Sequence, residues 1–221
     1  MGDKLSVNHM VLKIIYEDAN LLVVEKPAGI DIEGIQKLLQ KGFSLAHRLD
    51  KDTSGVLLIA KNEETLLFLR KQFQERTVQK EYLCLVEGEI KEGGIIETLL
   101  GRSPGDRRQQ KVYLQGEPGV ENKREARTEY KVKERFKGYT LLEVAPKTGR
   151  KHQIRVHFAN LGHPIAGDKL YGFKNQRIPK GLTRQFLHAH SLRLAMPDGT
   201  IKEFTSELPE DLEIVLKNLS A

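Results

Sequence analysis

The sequence predicts an α+β protein. Short leucine-rich or β-branched runs recur between tight turns, and a few segments instead carry apolar residues at helical spacing. No internal repeat, low-complexity tract or clear linker interrupts them, and 221 residues leave open one extended domain or two half-domains sharing a core.

Residues 11–16 and 21–25 read as a hairpin about Glu17-Asp18-Ala19-Asn20. Pro27 and Gly29 punctuate the turn that follows, and Lys26 beside them is a candidate phosphate contact. Ile35, Leu38 and Leu39 predict a short helix over 34–42, with Gly42 at its stop. The polar stretch Ala46–Gly55 then lies between Phe43-Ser44-Leu45 and a strand-like run from Val56 to Ala60. It reads equally as a solvated turn or as a site on a stiff scaffold.

Asn62 caps a second predicted helix, with Glu63 and Glu64 in its first turn and Leu66, Leu69 and Phe73 along one face. Residues 80–88 read as a strand with Tyr82, Cys84 and Val86 on one side. Residues 101–127 are polar, contain Gly and Pro, and are rich in Arg and Lys. They read as an insertion tracking a phosphate backbone through Arg107, Arg108 and Lys111, or as a solvated hairpin tip.

Strands resume at 128–132 and 139–144, joined by Lys137-Gly138. Thr148 as cap, Ile154, Phe158 and Leu161 as stripe, and Gly162 as stop predict a helix over 148–162. Arg150 and Lys151 would then oppose the helix dipole at its start, which points to an anionic ligand there. A strand over 186–194, a turn at Pro197-Asp198-Gly199, a return strand from Ile201 to Phe204 and a helix from Pro209 complete the chain.

Composition narrows the chemistry. With 39% hydrophobic and 30% charged residues the chain can bury a sizeable core, and its net charge of +6 suits a polyanionic partner. No run approaches the roughly 18 apolar residues of a membrane span, and the N-terminus lacks a signal-type core, so a cytoplasmic protein is expected. The single cysteine, Cys84, excludes intrachain disulfides and disfavours thiolate zinc sites; it reads as a small buried hydrophobe. No Gly-rich phosphate cradle is present, so no nucleotide cofactor is expected. His188 and His190 share a strand face and His152 and His157 lie five apart, but that spacing is not the four that best aligns metal ligands, and no metal is expected. Ser54 lacks a nucleophile elbow.

A carboxylate, a tyrosine and an arginine remain. His47-Arg48-Leu49-Asp50 followed by Thr53-Ser54-Gly55, Lys80-Glu81-Tyr82, Gly149 to His157, and Leu187-His188-Ala189 together resemble the RluA-type pseudouridine synthase family, which acts on ribosomal and transfer RNA. Lys26-Pro27-Ala28-Gly29 and Gly167-Asp168-Lys169-Leu170-Tyr171-Gly172 match it too. The resemblance spans residues 11 to about 205 and implies one catalytic domain over 1–221, with a mixed, mostly antiparallel central sheet, flanking helices and a central cleft. It implies isomerisation of uridine in RNA without cofactor or metal, and a monomer is expected.

By that resemblance Asp50 is the essential aspartate, acting at the bond between ribose and base. Arg155 pairs with it, and an adjacent guanidinium favours the ionised carboxylate. Tyr82 stacks on the flipped base and suits proton transfer. Ile154 and Leu187 supply apolar walls. Arg48 fills the gap left by the extruded nucleotide, assisted by His47, and Arg150 and His152 join Lys26, Arg107, Arg108 and Lys111 as RNA contacts. The chain leaves no room before Val11 for the N-terminal RNA-binding module that many relatives carry. It also has Ile30-Asp31-Ile32-Glu33 where relatives often continue with Val-His-Pro. A non-catalytic RNA-binding or chaperone protein is the alternative.

Overall fold

A computed structural model describes residues 4–7, 10–114, 116 and 119–220. In chain order the elements are β1 (Lys4–Val7), β2 (Met10–Glu17), β3 (Leu21–Lys26), α1 (Ile32–Leu38), β4 (Ser44–Leu45), β5 (Ser54–Ala60), α2 (Glu63–Glu75), β6 (Gln79–Glu87), β7 (Gly94–Arg102) and β8 (Gln110–Tyr113). There follow β9 (Arg124–Phe136), β10 (Tyr139–Pro146), α3 (Gln153–Asn160), β11 (Leu187–Ala195), β12 (Ile201–Thr205) and α4 (Glu210–Ser220). The chain divides into two units, one of Met1–Lys80 with His188–Leu208 and one of Glu81–Leu187 with Pro209–Ala221. The class is α+β with mixed, mostly antiparallel pairing, as the resemblance implies.

In the first unit β5 is the central strand, buried at every position. Antiparallel β3 covers one side of it from Gly55 to Ala60. Two short partners share the other side: β4 pairs antiparallel at Ile59 and Ala60, and β11 pairs parallel at Ser54 and Gly55. The polar stretch therefore runs back past β5 between these two pairings. Gly55 has φ +120°, and a Cβ there would lie 2.2 Å from the Ala189 carbonyl oxygen, so only glycine permits the parallel contact. Asn62 caps α2 by accepting from Thr65 N, as expected, and Leu69 packs with Leu21, Val23, Val56 and Leu58.

In the second unit the strands run antiparallel in the order β6-β10-β9-β7-β8. The face of β6 bearing Cys84 and Val86 packs with Leu142, Val144, Ile154 and Phe158, and Tyr82 lies against that cluster. Burial, and next the charge of Asp168, push the Cys84 thiol well above its ordinary range, so it stays protonated. Arg184 Nε donates to Asp211 Oδ2 at 2.7 Å, fastening α4 within this unit.

Three expected elements differ. α1 begins at Ile32 because Asp31 accepts from Gly34 N at 2.7 Å, and it ends at Leu38, short of Gly42. α3 begins at Gln153 rather than near Thr148, after His152 takes a left-handed backbone with φ 56°. The polar stretch 101–127 holds the end of β7, all of β8 and the start of β9: β7 and β8 form a hairpin, and β9 starts at Arg124. Leu100, Val112 and Ala126 give that region a small core with Val156 of α3. Gln115, within the same stretch, lies outside the described residues.

Candidate functional site

Asp50 sits part-buried in a loop braced by two cation-capable side chains that do not serve as cations toward solvent. His47 Nε2 accepts from Leu58 N at 3.0 Å, and its ring stacks on Phe73 with centroids 4.9 Å apart. Burial, and next the charge of Lys80, lower the His47 pKa to about 3. The imidazole is therefore neutral, as an acceptor must be. Ala46 N returns a bond to Leu58 O at 3.1 Å, so the start of the loop is laced onto β5.

Lys26 is 0% exposed, and its ammonium donates to the carbonyls of Pro27, Ile30 and Lys51 at 2.8, 2.8 and 2.9 Å. Three donors meeting three carbonyls offset the desolvation of the charge and tie the loop to the end of β3. This corrects the expected phosphate contact, because the ammonium is enclosed by backbone. Gly29 N also donates to Lys51 O, at 3.0 Å. Past Asp50, whose carbonyl accepts from Thr53 N, buried Ser54 lies 2.9 Å from His188 Nδ1, while His188 Nε2 meets Ser206 O at 2.9 Å. Arg48 and Lys51 are exposed, Leu49 is buried, and Asp52 is part-buried.

In the second unit, α3 carries Ile154 and Arg155. Thr148 does not cap it: its hydroxyl donates to Gln153 Oε1 at 2.6 Å and accepts from Arg127 N at 3.1 Å. Gln153 Oε1 also accepts Arg150 N at 3.0 Å, and its amide donates to Thr128 Oγ1 at 2.9 Å. Arg150 and Lys151 thus precede the helix instead of opposing its dipole from within, and Arg150 Nε donates to Glu125 O at 3.0 Å. His157 is fully buried between Thr98 and Thr128, each 2.9 Å from one ring nitrogen, and burial lowers its pKa to about 4.

Arg155 is buried and forms a two-point pair with Asp168, Nε to Oδ2 at 2.6 Å and Nη2 to Oδ1 at 2.9 Å. Oδ1 also accepts the N–H groups of Leu170 and Tyr171 at 2.9 and 3.0 Å. Gly167 makes this turn possible, having φ +74° and room for no Cβ, which would lie 2.4 Å from Arg184 O. Below the guanidinium lies the Tyr171 ring, 5.1 Å from Arg155 Cζ. In the sequence Asp168 and Tyr171 stand only within a matching block; the contacts they make are ones that no periodicity encodes. Tyr82, Ile154 and Leu187 share one apolar cluster.

Arg107 and Arg108 are exposed at the tip of the β7–β8 hairpin, and Lys111 is exposed on β8. Arg108 closes onto Asp106 at 2.7 Å, and Lys111 and Lys123 Nζ lie 5.2 and 4.7 Å from the Tyr113 ring centre. No helix among the described residues is long and apolar enough to cross a membrane.

Residues 20–160 match a family model described as RNA pseudouridylate synthase. Over 93% of the chain, it is 38% identical to ribosomal large subunit pseudouridine synthase D of Nitrosomonas europaea, covering 64% of that protein. An uncharacterized RNA pseudouridine synthase of Chloroflexus aurantiacus is 46% identical over 79% of the chain and 53% of its own length. The chain therefore spans less than two thirds of either relative. The structure of human RNA pseudouridylate synthase domain containing 1 superposes with a TM-score of 0.81 and 33% identity, covering 92% of this chain and 87% of that one. A braced Asp50 loop, an apolar cluster with Tyr82 and a two-point-anchored Arg155, set in a sequence that matches over most of its length, place this chain in the RNA pseudouridylate synthase family.

Proposed function

We propose that this chain converts uridine in RNA to pseudouridine, with large-subunit ribosomal RNA, which the Nitrosomonas relative's name specifies, as the first substrate to try. Asp50 is the reacting carboxylate at the anomeric carbon. Arg155 serves the reacting nucleotide, and Tyr82 stacks on the extruded base between walls supplied by Ile154 and Leu187. Arg48 occupies the gap in the RNA stack, since a uridine must leave that stack before its sugar carbon can be reached. His47, by contrast, braces the loop. Arg107, Arg108 and Lys111 meet RNA phosphates, and Arg150 and His152 stand at the entry to α3 to do the same. The reaction proceeds in the cytoplasm with the chain as a monomer and one catalytic domain.

The observation that carries this reading is the Asp50 loop itself. Its neighbours His47 and Lys26 are committed to backbone, so the loop is built to hold one carboxylate and one exposed arginine in place. Asp50→Asn should keep the fold and RNA affinity while product formation falls by a factor of roughly 10³ or more, the scale seen when a reacting group is removed. Pseudouridine mapping of an RNA transcript reads this directly. Full yield from the variant would reject the assignment. RNA binding by the wild type without pseudouridine in any transcript would favour the non-catalytic alternative.

A further inference from the structure

Tyr171 touches three parts of the second unit. Its hydroxyl accepts Gln110 N, at the start of β8, at 2.7 Å. The same oxygen lies 3.0 Å from His152 Nδ1, and the two rings meet edge-on with centroids 5.6 Å apart. A backbone N–H only donates, so the phenol oxygen is the acceptor toward Gln110, and which of the phenol and His152 Nδ1 donates to the other follows the imidazole tautomer. The ring face supports the Arg155 guanidinium, and the Tyr171 backbone N–H holds the carboxylate that pairs with it. A parallel tie runs from Gln109 Nε2 to Leu170 O at 2.9 Å.

The Tyr171 ring lies against the Arg155 guanidinium, and its hydroxyl bonds the hairpin that carries Arg107 and Arg108. We propose that Tyr171 is a positioning residue that couples the seating of the β7–β8 hairpin to the setting of the Arg155 guanidinium. The proposal rests on the function given above, in which the hairpin cations meet RNA and Arg155 serves the reacting nucleotide. A hairpin drawn toward phosphate shifts Gln110 N, and the phenol held by that N–H turns with it against the guanidinium. Displacements of about 1 Å in a positioned group can change a rate by up to about a hundredfold, so a small rotation is enough to matter.

The test is a double-mutant cycle on the full chain with a ribosomal RNA transcript that the wild type modifies. Single-turnover rate at saturating RNA and RNA Kd are measured for wild type, Tyr171→Phe, Arg107→Ala and the double variant. Tyr171→Phe should lower the saturated rate roughly tenfold with Kd changed less than about twofold, a split that loss of packing alone would not produce. Arg107→Ala should lower both rate and affinity in the wild type but only affinity once the hydroxyl is gone. Gln109→Ala, which cuts the parallel tie, should lower the rate in the same direction and replaces Tyr171→Phe in the cycle should that variant not fold. Independent, multiplicative effects on the rate would overturn the coupling while leaving the function intact. A wild type that forms no pseudouridine in any transcript would overturn the functional reading, and the coupling with it.

Discussion

Around Asp50 the bracing side chains bond directly to backbone; Arg155 is held by two side chains, which are anchored on backbone in their turn. His47 and Lys26 reach four main-chain groups, whereas Arg155 is held by Asp168 and Tyr171, which are held in turn by their own turn and by Gln110. A main-chain partner persists when neighbouring side chains change, so the first arrangement depends mainly on backbone shape. The second depends on a charge pair out of water, and losing either member takes a two-point bond from the other.

Asp168→Asn should therefore give the largest loss of stability, about 3–5 kcal/mol, because it breaks a buried two-point charge pair. Urea unfolding at neutral pH measures it. In the first region the vulnerable atom is backbone, and Gly55→Ala should cost about 3 kcal/mol by forcing a Cβ onto the Ala189 carbonyl at a positive φ. A smaller loss for Asp168→Asn than for Gly55→Ala would reverse the ranking.

Both regions share an acid-sensitive element, His47 in one and His157 in the other. Each has a folded pKa, about 3 and about 4, below the ordinary 6.5. Below pH 6.5 the unfolded chain takes up protons that the folded chain refuses. The stability from these groups is therefore complete above pH 6.5 and is lost as pH falls toward 4. Between about pH 7.5 and 5.5 the two should together remove roughly 1–3 kcal/mol. Unfolding curves of His47→Gln and His157→Gln should each show part of this pH dependence missing; unchanged curves would assign it elsewhere.

The smallest stability effect belongs to the hairpin tip. Replacing Arg107, Arg108 and Lys111 with Ala should change stability by no more than about 0.5 kcal/mol, since the Arg108–Asp106 pair is exposed. The same variant should weaken RNA binding and flatten its log–log salt dependence by roughly two to three, as fewer counterions are released. An unchanged slope would detach the hairpin from RNA.

Much of this was legible in the chain. The hairpin of β2 and β3, the Asn62 cap, the Cys84 face of β6 and the β11–β12 return all follow from local pattern. Thr148 misled because a threonine ahead of an amphipathic run can equally bond a glutamine side chain, and that choice depends on β9 lying alongside. The β7–β8 hairpin was obscured because its core is small and the rest of its surface is polar. Asp168 is separated from Arg155 by a turn whose shape depends on Gly167 meeting Arg184, a contact sequence spacing does not reveal.

The enclosed Lys26 ammonium has a consequence for chemical labelling. An amine-directed reagent needs a deprotonated, accessible nitrogen, and this one is wrapped by three carbonyls while most other lysines of the chain face water. Its acylation should lag behind theirs and should speed up only when the Pro27–Lys51 enclosure opens. Lys26 is thus a native reporter, readable by mass spectrometry, of how often the Asp50 loop comes undone.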